Sequence, residues 1–113
     1  WEIHPEGLVT GARWLHVSGQ IGVHPDGRHG ADAREQAELV WRNIGAILAS
    51  AGMSFHDIVK VTTYSTSPSH LPVLREVRER VLAGHLPAST LLVISGLARP
   101  ELLLEIEVCA ARV

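Results

Sequence analysis

The chain lacks most of the features that announce a function. It has one cysteine, Cys109, so no internal disulfide can form and a reducing compartment, the cytoplasm, is expected. No two lysines or arginines are adjacent, and the formal net charge is -2. A basic stripe able to neutralise phosphates is therefore absent, and a nucleic acid is not the expected partner. No apolar stretch is long enough to cross a bilayer, and no charged-then-apolar segment opens the chain. There is no low-complexity tract, internal repeat or linker. Phosphate loops, G-x-S-x-G elbows and dinucleotide fingerprints are also missing. The seven histidines include no pair at the spacing of a helical or hairpin metal site, so neither metal nor cofactor is expected.

What remains is an ordinary globular composition, 46 % apolar and 19 % charged over 113 residues, which suits one domain with a real core. The chain opens at Trp1 rather than at a methionine, and residues upstream of it are expected. Residues 8–13 and 14–22 read as short strands on either side of Gly11, and Pro25-Asp26-Gly27 signals a turn. Asp32 with Glu35 three residues on resembles a capping box. It opens a helix whose apolar positions run from Ala37 through Trp41, Ile44 and Leu48 to Ala51, with Gly52 as its stop.

Residues 58–65 form a β-rich run. A second helix is expected from about Ser69 to Gly84, with Leu71, Leu74, Val77 and Val81 as its inner stripe. Residues 88–95 and 102–111 complete the pattern as two strands. Strand–helix–strand crossovers of one hand put both helices on the same face of the sheet. The other face then has no cover within the chain. Yet Leu91-Leu92-Val93-Ile94 is apolar on both sides, a pattern that expects burial on both. Another copy of the chain is the economical cover.

Two strands carry polar groups that could line a cleft. In 104–108, Glu105 and Glu107 alternate on one side with Cys109 and Ala111, while Leu104, Ile106 and Val108 face the other way. In Ser18-Gly19-Gln20, the glycine permits close approach of a ligand to the backbone N–H. His16 reads as a packed group, Cys109 as an inert thiol within an apolar strand, and Trp14 and Trp41 as core residues.

Val17-Ser18-Gly19-Gln20-Ile21-Gly22, Leu86-Pro87-Ala88-Ser89-Thr90 and Leu104-Glu105-Ile106-Glu107-Val108 together resemble the RidA/YjgF family, with its S-G-Q-I strand, P-A-R-S segment and closing E-I-E strand. The resemblance runs from about Leu8 to Arg112. It implies an α+β, chorismate-mutase-like domain and a homotrimer with clefts between subunits. In that family the first glutamate of E-I-E orients a water, which makes Glu105 the candidate catalytic residue. The backbone at Gly19 helps to bind the substrate's carboxylate, beside Ser18. The P-A-R-S arginine holds the same carboxylate, but here the position is Ser89, followed by Thr90. A guanidinium gives two charge-assisted bonds where a hydroxyl gives one neutral bond, about 1.5–3 against about 1 kcal/mol each. Deamination of 2-imino acids would thus lose its main anchor. Arg75, where deaminase-type members commonly carry Asn, is the favoured replacement, with Arg78 and Arg99 behind it. Pro5-Glu6-Gly7-Leu8 offers no equivalent of the aromatic or hydroxyl residue that the family's N-terminal segment brings to the pocket. The expected function is binding or hydrolysis of a small nitrogen-containing, imine- or enamine-type metabolite. A non-catalytic ligand-binding or protective module is the alternative, and RNA cleavage the remote one.

Overall fold

The computed structural model describes residues 11–113. The expectations for Pro5-Glu6-Gly7-Leu8 and for most of the strand at 8–13 lie outside the described residues. Within them the order is β1 (Arg13–Ile21), α1 (Ala33–Ser50), β2 (Ile58–Ser65), α2 (Leu71–Leu82), β3 (Ala88–Val93) and β4 (Leu104–Arg112). This is the expected α+β architecture, with a four-stranded mixed sheet in the order β1-β4-β2-β3. β4 runs antiparallel to both β1 and β2, while β2 and β3 are parallel across the α2 crossover.

The alternation read from β4 holds: Leu104, Ile106 and Val108 are buried, and Glu105, Glu107 and Cys109 are half-exposed. Both helices pack on the buried face. Trp41, Ile44 and Leu48 of α1 and Leu74 and Val77 of α2 form one cluster there with Val17, Val61, Ile106 and Val108. No helix among the described residues is long and apolar enough to cross a membrane.

Asp32 caps α1 as expected, its carboxylate accepting from Glu35 N at 2.9 Å. The reciprocal arm differs from a true capping box. Glu35 reaches back past Asp32 to the Ala31 N–H and also meets His24 Nε2 at 3.2 Å. The Ala31 N–H, and then His24, hold the Glu35 carboxyl below its ordinary range. With the folded value depressed, its contribution to stability is complete above the unfolded value and is lost as pH falls through the folded one. Acid titration of wild type against Glu35→Gln is therefore expected to show a smaller loss of stability below about pH 4.5 in the variant. Parallel curves would show that the carboxylate is not stabilised at the cap.

α1 is pinned to the rest of the fold by Gln36, a buried polar side chain. Its Nε2 donates to Gly30 O at 3.0 Å and to Glu101 O at 2.9 Å, and its Oε1 accepts from Leu103 N at 2.8 Å. Gly22 makes room for this contact, since a Cβ there would lie 2.5 Å from Gln36 Cα. The second helix begins one step later than the pattern suggests. Pro68–His70 form a 3-10 turn before α2, and Ala83 takes the left-handed conformation (φ 48°) ahead of Gly84.

One expectation about burial is corrected. Trp14, read as a core residue, is 52 % exposed, because it sits on β1 opposite Ala111, on the face without helices. Leu91, Leu92 and Val93, for which another copy is the expected cover, are exposed within the single chain. β3 is an edge strand, and the helices do not extend over it.

Candidate active site

The pairing of β1 with β4 carries an irregularity at the point where the sequence placed its polar wall. Val17 opposes Val108 and Gln20 opposes Ile106, so both Ser18 and Gly19 fall against Glu107. This extra residue is a β-bulge. It brings the backbone of Gly19 beneath the side chain of Glu105. A Cβ built on Gly19 would collide with Glu105 Oε2 and lie 2.5 Å from its Cδ. Glycine is thus required here to seat the carboxylate. Among the described residues, Glu105 makes no hydrogen bond or ion pair, which leaves it free to engage a water or ligand.

Around this contact the uncovered face is polar. Opposed register positions share a face, so β2 adds Lys60 beside Cys109, Thr62 beside Glu107 and Tyr64 beside Glu105. Tyr64 donates its hydroxyl proton to Glu107 Oε1 at 2.6 Å, and this bond pushes the Tyr64 hydroxyl's pKa up. Lys60 Nζ donates to Thr90 Oγ1 at 2.6 Å. His16 Nδ1 lies 3.3 Å from Cys109 Sγ, so His16 is not packed, as the sequence suggested, but stands exposed on this face. His16, Ser18, Lys60, Thr62, Glu107 and Cys109 line a shallow depression of about 240 Å³. Nothing in the sequence singled out Tyr64, Lys60 or Thr62. Their period-2 spacing was visible, but their partner strand was not.

The candidates named from the sequence separate into groups. Ser18, Gly19 and Glu105 come together at the bulge. Thr90 points to the same uncovered face, held by Lys60. Ser89 opposes the buried Val61 and so belongs to the helix side, where it accepts from Arg78 Nη1 at 3.3 Å. Arg75 is not at Ser89. It lies exposed on α2 without an ion pair or hydrogen bond among the described residues. The one-turn difference between Arg75 and Arg78 decides which faces β3. Arg99 is engaged elsewhere, 3.6 Å from Glu101.

The family model described as Endoribonuclease L-PSP matches residues 6–112. The chain belongs to this family, that of the RidA/YjgF proteins. A RutC family protein of Pyrococcus horikoshii, PH0854, is 31 % identical over 104 residues, covering 90 % of this chain and 82 % of that protein. The 2-iminobutanoate/2-iminopropanoate deaminase of Mus musculus is 28 % identical over 89 residues, 77 % of this chain and 66 % of that protein. Among solved structures, Escherichia coli TdcF with bound serine superposes with a TM-score of 0.84 at 32 % identity, covering 94 % of this chain and 85 % of that one. The RidA-type sheet and helices are therefore shared.

Proposed function

We propose that this chain assembles as a homotrimer and hydrolyses a small imine- or enamine-type metabolite in clefts completed by neighbouring copies. The seating of the free Glu105 carboxylate on Gly19 carries this reading. Glu105 takes a proton from water as its oxygen adds to the imine carbon, and the nitrogen is protonated. The C–N bond then breaks as the carbonyl forms, releasing ammonia. The Gly19 backbone and Ser18 hydroxyl position the substrate, and Thr90 lies on the same face.

Assembly follows from the distribution of the parts. Gly19 and Glu105 lie on β1 and β4, whereas Ser89 lies on β3 at the far edge and on the other face. One copy cannot join them, so a site that uses both takes its second half from another chain. The exposed Leu91, Leu92 and Val93 of β3 suit burial in such a contact. The deaminase name of the mouse relative and the serine bound to TdcF agree with a small nitrogen-bearing ligand.

The test is decay of 2-imino acids generated in situ by an amino-acid oxidase. Wild type is expected to accelerate it, and Glu105→Gln to reduce the rate about 10²–10⁴-fold. Equal rates would remove Glu105 from the mechanism. Absence of wild-type acceleration would favour the second reading, a binding module without turnover, for which Ser89 is the motive.

A further inference from the structure

Cys109 is the only cysteine in the chain, and no histidine lies near it in sequence. The sheet supplies what local sequence does not. β4 lies between β1 and β2, and Cys109 is opposed by His16 on one side and by Lys60 on the other. A base, a thiol and an ammonium thus stand in one row across three strands, on the face without helices. His16 Nδ1 lies 3.3 Å from Cys109 Sγ, within reach of the thiol proton. Lys60 Nζ donates to Thr90 Oγ1 at 2.6 Å, which keeps the ammonium on this face. All three residues line the depression of about 240 Å³, where His16 is exposed and Cys109 half-exposed.

The chemistry of the row narrows what it can take. A thiol that loses its proton becomes a strong nucleophile, and an adjacent imidazole can accept that proton. The ammonium favours negative charge, on the sulfur or on the oxygen of an electrophile. Glu107, the carboxylate on the same lining, is engaged by the Tyr64 hydroxyl at 2.6 Å. A metal ion fits less well. Among the described residues no third His, Cys, Asp or Glu joins the pair as a ligand, and the ammonium repels a cation. The depression lies below the roughly 300 Å³ at which pockets begin to hold drug-sized molecules, so it suits a small electrophile.

We propose that Cys109 is a covalent modification site for small α,β-unsaturated carbonyl compounds, with His16 as its base. His16 Nδ1 takes the thiol proton as the sulfur bonds to the β-carbon of the electrophile. The C=C π pair moves toward the carbonyl, where the Lys60 ammonium on the adjoining strand stabilises the enolate. The α-carbon then recovers the proton from His16. A thioether remains, and the step needs no oxidant and expels no leaving group. Cys109 is four residues from Glu105 on the same side of β4, about 13 Å along the strand. The modification is therefore separate from imine hydrolysis and does not depend on it.

The test is the rate of N-ethylmaleimide addition to the native full chain near neutral pH, with the adduct located by mass spectrometry. A single adduct on Cys109 is expected, formed about tenfold or more faster than on N-acetylcysteine. His16→Ala and His16→Gln are expected to slow it about 10–100-fold, and to rejoin wild type at about pH 10, where a thiol ionises unaided. Slowing that persists at the higher pH would give His16 a packing role and overturn its assignment as the base. Lys60→Gln is expected to slow maleimide about 3–10-fold, and iodoacetamide, which forms no enolate, by less. Equal slowing of the two reagents would overturn the assignment to unsaturated carbonyls. Circular dichroism checks the fold of each variant, and the second His16 variant keeps the test open should the first unfold. The proposal fails if Cys109 reacts only after unfolding in urea, if it reacts no faster than N-acetylcysteine, or if both His16 variants react like wild type.

Discussion

A Gly19→Ala variant is expected to fold normally and to lose imine hydrolysis about as completely as Glu105→Gln, by about 10²–10⁴-fold. The new methyl group would occupy the space now held by the end of the Glu105 side chain. That end is flexible and half-exposed, so the carboxylate swings away and the backbone need not move. The cost therefore falls on the position of one carboxylate rather than on the core. A displacement of even about 1 Å from the productive geometry can cost on the order of 10²-fold. Thermal unfolding should move little, while the rate falls by orders of magnitude. Full activity in Gly19→Ala would show that Glu105 does not act from its seat on Gly19.

The largest loss of stability is expected at Gln36. Leucine fills a similar volume, but it leaves Glu101 O and Leu103 N without the partners that the amide supplies, while Gly30 O keeps its 2.8 Å contact with His29 Nδ1. Each buried backbone group left unpaired costs about 1–3 kcal/mol, and with two of them Gln36→Leu is expected to destabilise the fold by about 2–6 kcal/mol. Gln36→Glu retains the acceptor for Leu103 N but loses the two-donor amide, and it should fall between. Urea denaturation of the three proteins at one concentration measures this order. A loss below about 1 kcal/mol in Gln36→Leu would show that these loops hold α1 by packing alone.

The contrast between these two positions shows what could be read from the chain and what could not. α1 was legible because its apolar residues keep a helical period between Asp32 and Gly52. The two-faced character of β4 was legible because side chains alternate without exception from Leu104 to Ala110. Gly19 and Glu105 were each marked, but their contact depends on a bulge, and local sequence does not fix where an extra residue is absorbed. Trp14 was misplaced because a large apolar side chain on a strand fits either face until pairing is known. Arg75 was preferred to Arg78 for a related reason. Both lie on one helix a turn apart, and only the path of the chain through Gly84 to Pro87 decides which reaches Ser89. His16 and Cys109 are far apart in sequence and meet only through the β1–β4 register.

The spread of the site across the sheet bears on how such a protein can change over generations. β4 and β2 stand between the bulge that seats Glu105 and the edge strand that carries Ser89. Ser89 is exposed and contributes nothing to the core, so substitutions there are nearly free of folding cost. Gly19 has no such latitude, because any side chain dislodges the carboxylate above it. One edge is thus open to drift while the other is held. On this sheet position 89 can vary while the Glu105 carboxylate keeps its seat on Gly19.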